Sequence, residues 1–333
     1  MPPDRPPTGR RRLIAAAAGL AAATPAPAAR ALLPGGATLL VPGPENGAHE
    51  RWSSRLAAFL ARGGTPAAGV ERKVLGGPDG VTAANRFAAL VEPDGRTLLV
   101  LSGGAAQARL VGDPRVRFET VGWLPVCAAE GLAVVAGRAD MASFSKVRVA
   151  LGGAGSPAAA ALCGLGMMGL DAVPVVGLAP LQAEAALLAG SVDAVLLHGP
   201  DVPARMAALS ARPWFTLDTA GARDAALPEV PCMSEMVSGP TVLRVAVQAA
   251  AAAVRLHAAL VLPALTLADR VALWRGAAAR WLEEEARSVT TAGLRPLSGA
   301  EAAPLLSAAL APPPEAALAY RDWLLSRLNW RAA

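Results

Sequence analysis

Short apolar runs alternate with amphipathic stretches along most of this chain. That alternation predicts an α/β fold with mostly parallel strands flanked by helices. The runs at 37–41, 69–74, 97–101, 132–136, 147–151, 173–176 and 194–197 read as strands, and 81–90, 158–168, 181–189 and 202–209 as helices. Trp52, Leu56, Phe59 and Leu60 fall at i, i+4, i+7 and i+8, one face of a helix that stops at Gly63-Gly64. After Pro240 the pattern turns mostly helical. The apolar stretch 246–262 is interrupted by Arg255 and His257 and closed by Pro263, so it reads as a core helix and not as a membrane span. Thr266 with Asp269 is placed to cap a helix carrying Val271, Trp274, Ala278 and Trp281. Ser298-Gly299-Ala300-Glu301 is a capping box for the next one. The break at Pro312-Pro313-Pro314 leads into a last helix with Trp323, Leu324, Leu328 and Trp330, whose tryptophans read as packing anchors.

At 333 residues the chain can bury two cores. The pattern divides it into residues 1–31, a first lobe from 32–136, a second lobe from 137–236, and 237–333 returning as helices to the first. A lobe that leaves and rejoins the chain implies at least two hinge strands, the geometry for closing on a ligand like a Venus flytrap. Residues 1–31 read as an export signal. Arg10-Arg11-Arg12 precede a short apolar run, 13–23, and small residues offer cleavage near residue 28 or 31. Both the twin-arginine (Tat) and the Sec routes fit this segment. Residues 1–28 hold four arginines and Asp4, so cleavage takes the net charge from +5 to about +2 (5 − 4 + 1). The remaining arginines are scattered, which argues against a nucleic-acid partner. Cys127, Cys163 and Cys232 are widely spaced. One disulfide plus a free thiol, or three buried thiols, would satisfy them.

Glycine-rich turns follow several predicted strands: 43–47, 76–80, 102–105 and 152–156. Such turns, opening into helices, set backbone amides and helix N-termini at the mouth of a crevice, where small anions are held. Several of these stretches occur in the order found in one family. Leu39-Leu40-Val41-Pro42-Gly43-Pro44 with Gly47 resembles its first loop, and Gly76-Gly77-Pro78-Asp79-Gly80 its second. Glu92-Pro93-Asp94-Gly95-Arg96-Thr97-Leu98-Leu99 is similar to its Pro-Asp-Gly-x-Thr-Leu-Leu run. Val149-Ala150-Leu151-Gly152-Gly153-Ala154-Gly155-Ser156 resembles its third loop. Val173-Pro174-Val175-Val176-Gly177, followed by Gly190-Ser191-Val192-Asp193, resembles its Val-Pro-Tyr-x-Gly and Gly-x-Val-Asp pair, with Val175 in place of the tyrosine. These are the substrate-binding proteins of tripartite tricarboxylate transporters, the Bug-type family.

The resemblance implies a type II periplasmic-binding-protein fold, with a ligand cleft between two lobes and no catalytic activity. It implies capture of a small organic acid for a membrane transporter from the periplasm, by a protein that does not itself span the membrane. The residues it nominates are Pro44, Glu45, Asn46, Gly47, His49, Gly77, Gly80, Ser102, Gly103, Gly153, Ala154, Gly155, Ser156 and Gly177. A periplasmic sensor feeding a signalling protein such as a kinase, or an enzyme on the same fold, are the alternatives.

Other motifs point nowhere further. Gly153-Ala154-Gly155 lacks the third glycine of a dinucleotide fingerprint, because Ala158 stands there. Ser143-x-x-Lys146 lacks the companion motifs of penicillin-recognising enzymes. Asp193 and Asp201 read as a strand end and a helix cap more readily than as an acid and base pair. His49, His198 and His257 are far apart, so no metal site and no cofactor is expected.

Overall fold

Two triplets of parallel strands organise the molecule, and one long strand joins them. The computed structural model describes residues 36–62, 69–218, 221–238, 241–287 and 293–331. The expected export segment and the Gly63-Gly64 stop lie outside these. In the first triplet, β1 (Ala37–Pro42) pairs in parallel with β2 (Val70–Leu75) and β3 (Thr97–Leu101). Helices α1 (Ala48–Arg62) and α2 (Val81–Leu90) connect these strands, and α3 (Gly103–Val111) follows β3. In the second triplet, β5 (Lys146–Leu151) pairs in parallel with β6 (Asp171–Val176) and β7 (Ala194–Gly199). Here α4 (Ala158–Met167) and α5 (Pro180–Leu188) are the connections, and α6 (Val202–Ala208) follows β7.

The joining strand is β4 (Leu124–Gly137). Residues 124–130 run antiparallel to β9 (Leu256–Leu262), and 127–131 run antiparallel to β10 (Leu294–Ser298). Residues 132–137 then pair antiparallel with β7, and 134–137 with β8 (Arg212–Thr216). β9 closes the first half by pairing with β3.

Both faces of the central strands are covered, which is why these read as nearly continuous apolar runs, whereas the edge strand β2 exposes Glu71, Arg72 and Lys73. On one face of the first half, Leu99, Leu101, Ala259 and Val261 meet Phe87 of α2, Ala105 of α3 and Leu305 of α10 (Gly299–Leu310). On the other, Leu98, Val100, Ala258 and Leu260 meet Trp52 and Leu56 of α1 and Trp274 and Trp281 of α9 (Ala268–Glu285). In the second half, Val147, Val149 and Ala133 pack on α4, on α8 (Thr241–Arg255) and on Tyr320 of α11 (Pro314–Leu328). Val134, Ala136 and Val195 pack on α5 and α6. Each fully buried Leu or Val among these contributes about 1.5–3 kcal/mol. Among the described residues no helix is long and apolar enough to cross a membrane.

Several elements depart from the expectations. The stretch 246–262 is not one helix: α8 ends at Arg255 and β9 begins at Leu256. Open ladder positions on β3 and β4 capture 256–262 as strand, and Arg255 is anchored at the switch by Glu130 and Asp224, both at 2.7 Å. β4 extends well before residue 132, while β8, β10 and α3 were not foreseen. At α9 the N-cap is Leu267, and the Thr266 hydroxyl donates to the Pro263 carbonyl instead. Asp193 precedes β7 and binds Arg148 at 2.6 Å. Asp201 does sit at the N-cap of α6, with φ 59 and no side-chain cap bond. The three cysteines are buried and free, and burial pushes the Cys127 and Cys163 thiols up to about 12.

Candidate functional site

The loops that follow β1, β2 and β3 emerge at the same end of the first triplet and lock together. A Cβ at Gly43 would collide with the Gly76 carbonyl, so glycine lets the first and second loops touch. Ser102 caps α3: its hydroxyl accepts from the Ala105 amide at 3.1 Å and donates to the Asp79 carbonyl at 2.6 Å. Gly103 is clasped against the carbonyls of Ala253 and Leu256, where no side chain fits. Gly80, Ser102 and Gly103 are therefore buried and committed to loop packing. Pro44, Glu45 and Asn46 are exposed, while Gly47, His49 and Gly77 are partly so.

The loops of the second triplet are freer. A Cβ at Gly153 or Gly177 would meet nothing within 4 Å. The Ser156 amide closes a turn on the Gly153 carbonyl at 3.0 Å, just ahead of α4. Gly155 lies beside Trp330 and Val111, and its carbonyl accepts from Gln107 Nε2 at 3.1 Å, which ties this loop to α3. Around that tie, Ser156 Oγ, Gln107 Oε1 and the Tyr320 hydroxyl are buried without a hydrogen-bond partner. Gly153, Ala154, Gly155 and Ser156 thus form one loop, and Gly177 adjoins it through the bond from the Leu178 amide to the Leu151 carbonyl at 3.0 Å.

Near the point where β4 passes from one half to the other lie the nominated His49 and two histidines that the sequence does not nominate, His198 and His257. His49 on the first turn of α1 stacks on His257 of β9, with centroids 5.9 Å apart and planes 27° apart. His198 stands next to the end of β7 and acts electrostatically on His257. Burial lowers the pKa of all three. For His49 the His257 carbonyl partly opposes this, and for His198 the Arg205 charge adds to it. His257 falls to about 4, through burial and then the charges of His49, Arg55, His198 and Arg51. Spacing along the chain gave no sign of this convergence. Among the described residues, no cluster of His, Cys, Asp and Glu could hold a metal ion.

Behind them, Arg255 donates to Glu130 and Asp224, and Arg295 also binds Glu130, which is 5% exposed. A buried carboxylate held by two guanidiniums is satisfied, so it offers nothing to a ligand.

No family model matches the chain, and no curated protein matches it either. Solved structures do. A TctC solute-binding protein from Polaromonas, without ligand, superposes with a TM-score of 0.62 at 17% identity, covering 88% of this chain and 98% of the other. MatC from Rhodopseudomonas palustris with bound malate gives 0.54 at 22% identity, covering 86% and 98%. A further Rhodopseudomonas palustris protein, with adipate, gives 0.52 at 19% identity, covering 88% and 97%. The fold is that of the TctC and Bug-type solute-binding proteins.

Proposed function

We propose that this chain is an exported solute-binding protein that captures a small organic acid and delivers it to a membrane transporter, without turning it over. The two strand triplets are the lobes: 32–136 with 237–333 form the first and 137–236 the second, with α8 and α11 of the last segment packed against the second triplet. They close on the ligand about β4 and the α8–β9 connection. The observation that carries this reading is the shared fold, spanning nearly all of each compared chain, with proteins that hold malate and adipate. The interlocked first-lobe loops supply fixed backbone amides, and the glycine loop 152–156 supplies the α4 N-terminus from the other side. Glu45 is exposed on its loop, and an anion bound beside it would require it to be paired or to point away.

A thermal-shift screen of the chain from residue 32 against small carboxylates, amino acids and neutral metabolites tests the proposal. An acid at 100 times its dissociation constant should stabilise the protein by about 2.7 kcal/mol. Stabilisation by neutral or cationic compounds alone would refute the organic-acid assignment and keep the binding role.

A further inference from the structure

The fold gathers three histidines that the chain keeps far apart, each delivered by a different element. His49 comes from the start of α1 and His198 from the end of β7. His257 sits at the irregularity where Leu256 pairs with Glu130 but Ala258 pairs with Ala129. His49 Nε2 meets the His257 carbonyl at 3.1 Å, in addition to the ring stacking. All three rings are only partly exposed. Two stacked imidazoles in such a place cannot both be charged cheaply unless an anion joins them.

The charged groups facing this cluster are unevenly committed. On α1, Glu50 is held by Arg72 of β2, and Arg55 binds Glu285 of α9 at 2.7 Å. Beside β7, Arg205 of α6 donates to the His198 carbonyl and binds Glu184 of α5 at 2.5 Å. On β4, Glu130 is held by Arg255 and Arg295. Each of these carboxylates already has its arginine. Arg51 donates only to the Asn46 carbonyl and has no carboxylate partner among the described residues. What is left over is positive or able to become so.

We propose that His49, His198 and His257, with Arg51, form a protonatable anion site, so that capture of a small carboxylate is coupled to proton uptake. The proposal rests on the solute-binding reading and adds to it which side chains meet the ligand charge and how pH governs the grip. In the empty protein, burial lowers the pKa of all three imidazoles, that of His257 to about 4. A carboxylate beside them favours the charged form, so the bound state holds more protons than the free state. Affinity therefore rises as pH falls from about 6.5 towards the His257 value of about 4, by up to about tenfold per pH unit for each proton taken up. Below that range the ligand carboxyl itself becomes protonated and the gain is lost.

The test uses the purified chain with malate, adipate and sulfate as probes. Histidine side-chain resonances are followed through an acid titration with and without each probe. Calorimetry near pH 6 in two buffers of different ionisation enthalpy counts the protons taken up. The expected result is an upward shift of the His257 and His49 midpoints and an uptake approaching one proton per ligand. In His257→Gln both are lost, and binding no longer depends on pH; His49→Gln, the other ring of the stacked pair, serves where the first variant does not fold. An acid that binds and stabilises the protein with no proton uptake and unmoved histidines overturns this inference and leaves the solute-binding reading standing. Sulfate shifting the histidines while no organic acid stabilises the chain supports the site and refutes the organic-acid reading. If none of the three anions moves a histidine, the inference falls.

Discussion

The loops of the first strand triplet and those of the second do the same job with opposite degrees of freedom. In the first, Gly43 rests on Gly76, Ser102 bridges α3 to Asp79, and Gly103 is pressed against the end of α8. These contacts fix the loops before any ligand arrives, so their ordering entropy is already spent in folding. In the second, Gly153 and Gly177 face open space, and Ser156 keeps a buried hydroxyl without a partner. Pre-organisation on one side and slack on the other is what the proposed capture between two lobes would use. The glycines of the two halves thus have different reasons to be glycine: absence of space at Gly43 and Gly103, and a left-handed backbone with φ 93 at Gly177.

The largest effect that would break this comparison comes from Gly103→Val. Its side chain would strike the Ala253 and Leu256 backbone, and we expect a loss of about 4 kcal/mol or more, read as a collapsed melting temperature. A near-normal melting temperature would show that the first-half loops are not locked.

Next comes acidification, which acts on the joint between the halves. Unfolded imidazole binds a proton at about 6.5, whereas folded His257 does so at about 4, so the unfolded state takes protons first as pH falls. The stability is fully present above about 6.5 and is lost downward to about 4, by up to roughly 3 kcal/mol for this residue. Amide exchange during the titration should rise at the end of β7 and the start of β9 before it rises in the loops 43–47 and 76–80. A melting temperature that is flat over this window, or that does not become flatter in His257→Gln, would contradict the assignment.

Ser102→Ala follows, costing about 1–2 kcal/mol through loss of the α3 cap and of the bond to Asp79. Smallest in stability is Gly153→Leu, expected within about 0.5 kcal/mol of the parent because its Cβ points into open space. The same variant should weaken ligand affinity at least about tenfold. Unchanged affinity would remove the loop 152–156 from the site.

Much of the scaffold was legible because local pattern and tertiary demand agree there. The strand at 97–101 and the helix at 81–90 appear with the expected bounds, since β3 is apolar on both faces and α2 sets Val81, Ala84 and Phe87 on one side. The misreadings share a cause. The residues 246–262 are continuously apolar, and alanine-rich runs carry no mark of where a helix gives way to a strand; vacant edges on β3 and β4 settled it. α3 was hidden because Gly103-Gly104 reads as turn, while the structure needs glycine there to admit the α8 backbone. At the site, exposure and engagement were the illegible part. Ser102 looks like a ligand hydroxyl in sequence and is a helix cap in space. His198 and His257 look isolated and converge.

The sequence by itself determined the class of fold, the alternation that builds two parallel triplets, and the positions of the glycine loops. Those properties are written in residues close together, where period, turn chemistry and capping act over a few positions. Only the tertiary structure decided that β4 serves both halves, that Glu130 is saturated by Arg255 and Arg295, and that His49 stacks on His257 with His198 and Arg51 within electrostatic reach. Pairing, burial and charge depend on which distant segments become neighbours, and neighbours are set by the packing of whole layers.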